Sequence, residues 1–248
     1  MNWILRNLIL NLHNTVRNDL AGNELRFDSP NTNFKTYALN LPKLTWNKKL
    51  AKNAQNWADR CHIDSNEPHS FSKEFKKNPN RELKYGENVA YLAGSWPFIL
   101  APKSDKKALR TVIRRSVEQW VKEKNNFKIN KYALKTRKRR KPINKLGFSC
   151  KNSPKSLSKC SHFTQMIWHK TTRIGCGLAK CGKLKPFGDS AGTVLVCQYH
   201  QAANLRDWSN PYVYSLAPVK SQIGKRCKRG RDIKYKNLCK VKRQRKRA

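Results

Sequence analysis

Three kinds of residue in this 248-residue chain can do chemistry: a histidine, a glutamate and a set of eight cysteines. His162 opens the block "HFTQMIWHKTTRIGCG", residues 162–177, which is aromatic and polar. The chain around it carries 54 Lys+Arg against 15 Asp+Glu, a formal charge of +39. Glu123 falls beside Leu109, Val112, Ile113, Val117, Trp120 and Val121, which recur at helical spacing. A carboxylate in that place is either a solvated helix end or a group held at a buried face. The cysteines are Cys61, Cys150, Cys160, Cys176, Cys181, Cys197, Cys227 and Cys239. Their number is even, none forms a CxxC pair, and no Cys/His cluster has zinc-finger spacing. That pattern points to disulfides in an oxidising compartment, the alternative being free buried thiols in a cytosolic protein. There is no HExxH helix and no GxSxG elbow. Cysteines committed to bridges also leave no thiol nucleophile.

The elements that must carry these residues follow from periodicity. Leu5, Leu8, Ile9, Leu12, Val16 and Leu20 predict an N-terminal amphipathic helix. Leu50, Ala54, Trp57, Ala58 and Cys61 predict a second, and the Glu123 stripe a third, from about 104 to 125. "RIGCGLAKC" and "TVLVCQYH" predict two strands joined by a Gly- and Pro-containing connection. Residues 128–146 hold nine Lys/Arg and no acid and are expected to be a solvated loop. From Pro218 onward there are fourteen Lys/Arg and one acid, a charge-rich tail. Helices first and strands later, with cysteines around the strands, predict an α+β layered domain with a basic extension. No stretch is long and apolar enough to span a membrane as a helix. Residues 1–20 lack a signal-peptide cleavage site.

The ordered blocks "LHNTVRNDLA", "LTWNKKLAKNAQNWADRC", "YGENVA", "VEQWVKEK", "CSHFTQMIWHKTTRIGCGLAKC" and "VLVCQYHQAANL" resemble the CAP superfamily of cysteine-rich secretory, antigen 5 and pathogenesis-related type-one proteins. The C-terminal "CKRGRDIKYKNLC" is similar to the cysteine-bearing end of the insect antigen 5 branch. The resemblance implies a three-layer α-β-α sandwich over residues 1–217, with a basic insertion at about 128–146 and a largely irregular basic tail over 218–248. It implies a secreted protein, and hence an N-terminus truncated ahead of Met1. It implies pairing of Cys197 with Cys176 or Cys181, of Cys61 with Cys150 or Cys160, and of Cys227 with Cys239.

The same resemblance implies a cleft lined by Glu87, Glu123, His162 and a second histidine. The family's spacing would put that histidine at Ser65. His62 comes early and His69 late, and His69, followed by Ser70, is the preferred match. Two imidazoles and two carboxylates can hold a divalent cation such as zinc. They can equally hydrogen-bond one another and tie layers together. The main expectation is a non-enzymatic binding or signalling protein. The alternatives are a metal-dependent hydrolase using the same cleft and a carrier of a sterol or other lipid. The +39 charge predicts anionic partners, either sulfated glycans or anionic lipid surfaces. Nuclear import through "KTRKRRK" and "KRQRKR", and solubility alone, are the competing explanations of the charge. Few aromatics interleave with the basic runs, so specific recognition of nucleic acid is not expected.

Overall fold

The computed structural model describes residues 1–25, 37–38, 40–61, 85–134, 143–150, 160–184, 187–188, 190–203, 216–217 and 220–241, without the side chains of 127–134, 143–150, 216–217 and 222. Five α-helices lie among them: α1 (Trp3–Ala21), α2 (Lys48–Ala58), α3 (Pro97–Leu100), α4 (Lys106–Lys122) and α5 (Ser161–Ile167). The strands are β1 (Tyr37–Ala38), β2 (Thr45–Trp46), β3 (Tyr85–Ala93), β4 (Phe127–Leu134), β5 (Ile143–Cys150), β6 (Arg173–Cys181), β7 (Gly192–His200) and β8 (Leu216–Ala217).

The three long helices start where the sequence supplies a side-chain cap. Asn2, Asn47 and Asp105 accept the backbone N–H of Leu5, Leu50 and Ala108 at 3.0, 3.0 and 2.9 Å. The main sheet has the order β2-β6-β7-β3, with β6, β7 and β3 antiparallel and β2 parallel to β6. Strand β7 is buried along nearly its whole length because both of its faces are covered. On one face lie α1, α4 and α5, whose Leu5, Ile9, Ile113, Val117, Trp120 and Met166 pack on Ile174, Leu195 and Tyr199. On the other face lies α2, whose Ala54 and Ala58 meet Ala179, Val194 and Val196. This is the expected three-layer sandwich. Helix α2 sits close because β6 offers it Gly175 and Gly177. A Cβ on Gly175 would fall 2.2 Å from the backbone nitrogen of Ala51.

Three disulfides are described: Cys61–Cys181, Cys176–Cys197 and Cys227–Cys239. The expected partner of Cys61 is corrected. It reaches Cys181 at the end of β6, because α2 runs along that strand and delivers Cys61 to its terminus. Cys176 and Cys197 are directly opposed across β6 and β7, with Cα atoms 4.1 Å apart. Cys160 is disulfide-bonded too; the side chain of Cys150 lies outside the described residues.

Residues 128–146 also depart from expectation. Instead of a loop, β4 and β5 pair as an antiparallel hairpin from Phe127↔Cys150 to Leu134↔Ile143. Lysines interleaved through "FKINKYAL" and "INKLGFSC" dilute the two-residue alternation that marks a strand. Residues 220–241 are irregular, yet they are anchored. Leu238 is buried against Ala21, Ala38 and Leu41, and Asn237 bonds the side chain and carbonyl of Asn18 in α1.

Candidate functional site

The site begins at the end of α4. The helix stops at Lys122, and Glu123 is its C-cap and the first residue of a 3-10 turn, Glu123–Asn126. The apolar stripe of α4 faces the sheet, so its last turn delivers Glu123 to the start of α5. There the carboxylate spends both oxygens. Oε1 accepts His162 Nδ1 at 2.6 Å, and Oε2 accepts the backbone N–H of His162 at 2.9 Å and of Phe163 at 3.1 Å. Helix α5 has no cap from its own N-cap residue, Cys160. Glu123 supplies one from another element, placing negative charge at the positive end of the helix. The carboxylate also fixes the imidazole, whose ring stacks on Trp120 with centroids 6.2 Å apart and planes at 12°. The His162 and Glu123 side chains are 34% and 18% exposed. His162 Nε2 is the one edge of the pair that Glu123 does not engage.

A second network runs beneath this pair. Asn88 on β3 donates to the His162 carbonyl at 3.0 Å and to the Tyr199 hydroxyl at 3.2 Å. Tyr199 contacts His13 Nε2 at 2.8 Å, and His13 Nδ1 meets the Ile9 carbonyl at 2.9 Å. One assignment satisfies every member: Asn88 donates to Tyr199, Tyr199 to His13 Nε2, and His13 Nδ1–H to Ile9. Burial, with a further push from the Arg17 cation against the opposing Ile9 bond, lowers His13 to about 4 and keeps it neutral. Burial likewise holds the Tyr199 hydroxyl protonated. Alongside, buried Arg17 donates to the carbonyls of Pro42, Met166, Trp168 and Thr171, clamping α1 to the C-terminal end of α5.

Glu87 stands apart. It is opposed by Gln198 across β3 and β7, and Gln198 by Gly175 across β7 and β6. Opposed residues share a face, and Gly175 faces α2. Glu87 therefore leaves β3 on the α2 side, where Gln198 Nε2 donates to its Oε2 at 2.9 Å. Its neighbour Asn88 takes the side of α5. The fourth expected member, His69, and its alternative His62 lie outside the described residues. Of the four expected ligands, the structure thus brings together His162 and Glu123. Among the described residues no group of three or more His, Cys, Asp or Glu could hold a metal ion. One imidazole nitrogen, with Glu123 committed to α5, does not fit a cation on its own.

Asn88, Tyr199, His13 and Arg17 were not picked out as site residues from sequence. His13 and Arg17 are four and eight residues past Ile9, on the buried stripe of α1. That placement was the available signal for polar groups working inside the core.

Comparison with known proteins now adds to this geometry. The sequence profile of the cysteine-rich secretory protein family (CAP) matches residues 10–199. Venom allergen 5 of Vespula vidua is 30% identical over 200 residues, covering 80% of this chain and 75% of the relative. Venom allergen 5 of Polistes fuscatus is 29% identical over the same shares. Pathogenesis-related protein 1A of Nicotiana tabacum is 26% identical, covering 82% and 78%. Among solved structures, NaASP2 with Zn2+ superimposes with a TM-score of 0.61 at 18% identity, covering 96% of each chain. BmVAL-1 does so with a TM-score of 0.60 at 20% identity, covering 98% and 96%. The sandwich, the bridges and these relatives agree: the chain belongs to the cysteine-rich secretory protein (CAP) family, in its antigen 5-like branch.

Proposed function

We propose that this chain is a secreted, non-enzymatic binding protein that works through its cationic exterior, with His162 and Glu123 tying layers together rather than turning over a substrate. The observation that carries this reading is the complete commitment of the Glu123 carboxylate to α5 and to His162 Nδ1. Three hydrogen bonds accepted from one neighbouring helix make the carboxylate a tie between α4 and α5. Described bridges such as Cys61–Cys181 support an oxidising, extracellular setting. The formal charge of +39 supports anionic partners there. The test is retention of the disulfide-intact full chain on heparin–agarose. Elution well above physiological salt, about 0.15 M, is expected, and elution below it overturns the reading.

A metal at His162 is the second reading, favoured by one observation. A carboxylate holding Nδ1 and leaving Nε2 open is how a ligating histidine is oriented. Zn2+ is present in the NaASP2 structure. Here the described residues supply a single donor, so a site requires His69 or another donor outside them. Calorimetric titration of Zn2+ into the full chain decides: uptake of one ion, abolished by His162→Ala and by His69→Ala alike, would establish the site.

A further inference from the structure

The C-terminal segment presents its charge on a fixed platform. Residues 220–240 contain nine lysines and arginines, every one exposed. The segment's one acid, Asp232, is buried and already answered. It pairs with Lys43 and accepts the backbone N–H groups of Lys234 and Tyr235 at 3.1 Å. The backbone is closed on itself: Arg231 bridges antiparallel to Cys239, Lys240 N–H donates to the Gly230 carbonyl at 3.0 Å, and Cys227 is bonded to Cys239. Lys228 and Lys240 each follow a half-cystine of that bridge, whose Cα atoms are 5.1 Å apart, and the Lys240 bond to Gly230 sets Lys240 against the backbone between Arg229 and Arg231. The Arg231 stem packs over Gly224, where an added Cβ would fall 2.6 Å from its Cδ. Ion contacts made from such a preordered surface lose less side-chain and backbone freedom on binding than contacts from a floppy tail.

Resting on the reading above, we infer that this disulfide-closed platform, with Lys228, Arg229, Arg231 and Lys240 at its centre, is a binding site for a sulfated polysaccharide. Arginine forks match the paired oxygens of a sulfate ester, and lysines supply point charges between them. Two other polyanions fit less well. Tyr235, the segment's one aromatic, is committed through its hydroxyl to Asn11 at 2.6 Å and carries Lys234 over its ring. No base-stacking surface remains there for single-stranded nucleic acid. Ile233, 83% exposed, is the platform's single large exposed apolar side chain. Interfacial insertion into a lipid surface calls for an apolar face, not one residue.

The experiment compares three proteins, all full-length and disulfide-intact, by calorimetric binding of a heparin oligosaccharide across a salt series. They are the parent, a platform variant (Lys228→Gln, Arg229→Gln, Arg231→Gln) and an equal-charge control on exposed positions of α4 (Lys106→Gln, Lys107→Gln, Arg110→Gln). Matching unfolding temperatures establish that each is folded. At about twofold per lost exposed contact, the platform variant is expected to bind about tenfold more weakly, with a shallower salt dependence. The control is expected to lose under about threefold. Equal losses in both variants would overturn the site while leaving the general attraction to anions standing. A parent that binds no heparin at physiological salt would overturn both. Tighter binding to phosphatidylserine-containing vesicles than to heparin, abolished by Ile233→Ser, would make the platform a membrane contact and overturn the polysaccharide assignment.

Discussion

Replacing Glu123 by alanine removes the acceptor of three hydrogen bonds at once, two from the backbone of α5 and one from His162. A bond to a charged acceptor contributes about 1.5–3 kcal/mol when water is excluded. Here the carboxylate is 18% exposed, so water partly replaces it. Roughly 1 kcal/mol per bond is the appropriate scale, within the range for a lost helix cap, and the total is about 3 kcal/mol. In a chain of this size that lowers the unfolding midpoint by about 6–12 °C. His162→Ala leaves the two backbone bonds in place, so Glu123→Ala should still cost about 2 kcal/mol in that background. The coupling between the two positions is then about 1 kcal/mol. Denaturant unfolding of the parent, both single variants and the double variant, with disulfides intact, measures all of these terms. A Glu123→Ala cost under about 1 kcal/mol in both backgrounds would refute the view that this carboxylate holds α5.

The same structure makes other predictions. Arg17→Met leaves the carbonyls of Pro42, Met166, Trp168 and Thr171 without this donor, and unfolding should show a loss of about 3–4 kcal/mol at about 1 kcal/mol per group. Gly175→Ala drives a methyl into the α2 backbone, 2.2 Å from Ala51 N and 2.5 Å from the Asn47 carbonyl; it should cost at least about 2 kcal/mol and shift the near-ultraviolet circular dichroism. His13 titrates near 4 in the folded protein against an ordinary 6.5, so the unfolded chain binds its proton first. Stability is therefore full above about pH 6.5 and falls as pH drops toward 4, by about 3 kcal/mol in all. His169, also lowered to about 4 mainly by burial, contributes with the same sign. A His13→Gln variant should flatten this dependence in unfolding measured from pH 4 to 7, and an unchanged slope would contradict the assignment.

How far the sequence foretold this structure depends on which signal each residue carries. The stripes on α1, α2 and α4 were plain, because helices of one polar and one apolar face bury that face and nothing else competes with the period. Strands β6 and β7 were plain for a similar reason: a central strand covered on both sides is a continuous apolar run. Glu123 beside its stripe is a half-buried carboxylate held against α5, where it meets His162. The side taken by Glu87 was not legible. In "GEN" the glutamate and asparagine are adjacent, a strand turns them to opposite faces, and only the sheet's register with Gln198 decides which goes where. The partner of Cys61 is 120 residues away and depends on how α2 lies along β6, a packing property that spacing does not encode. Arg17 lay hidden because a cation on a helix stripe reads as solvated until four carbonyls are found converging on it. The C-terminal charge run is plain in the composition, but its anchoring rests on Leu238 and Asp232, two residues lost among the lysines.

The most direct test of the central claim separates the surface from the His162–Glu123 pair. The affinity of the full-length His162→Ala protein for a heparin oligosaccharide, measured beside the parent at physiological salt, should be unchanged within about twofold, since one exposed contact at most is altered. A loss of tenfold or more in a variant that remains folded would place binding at the pair itself and contradict the account.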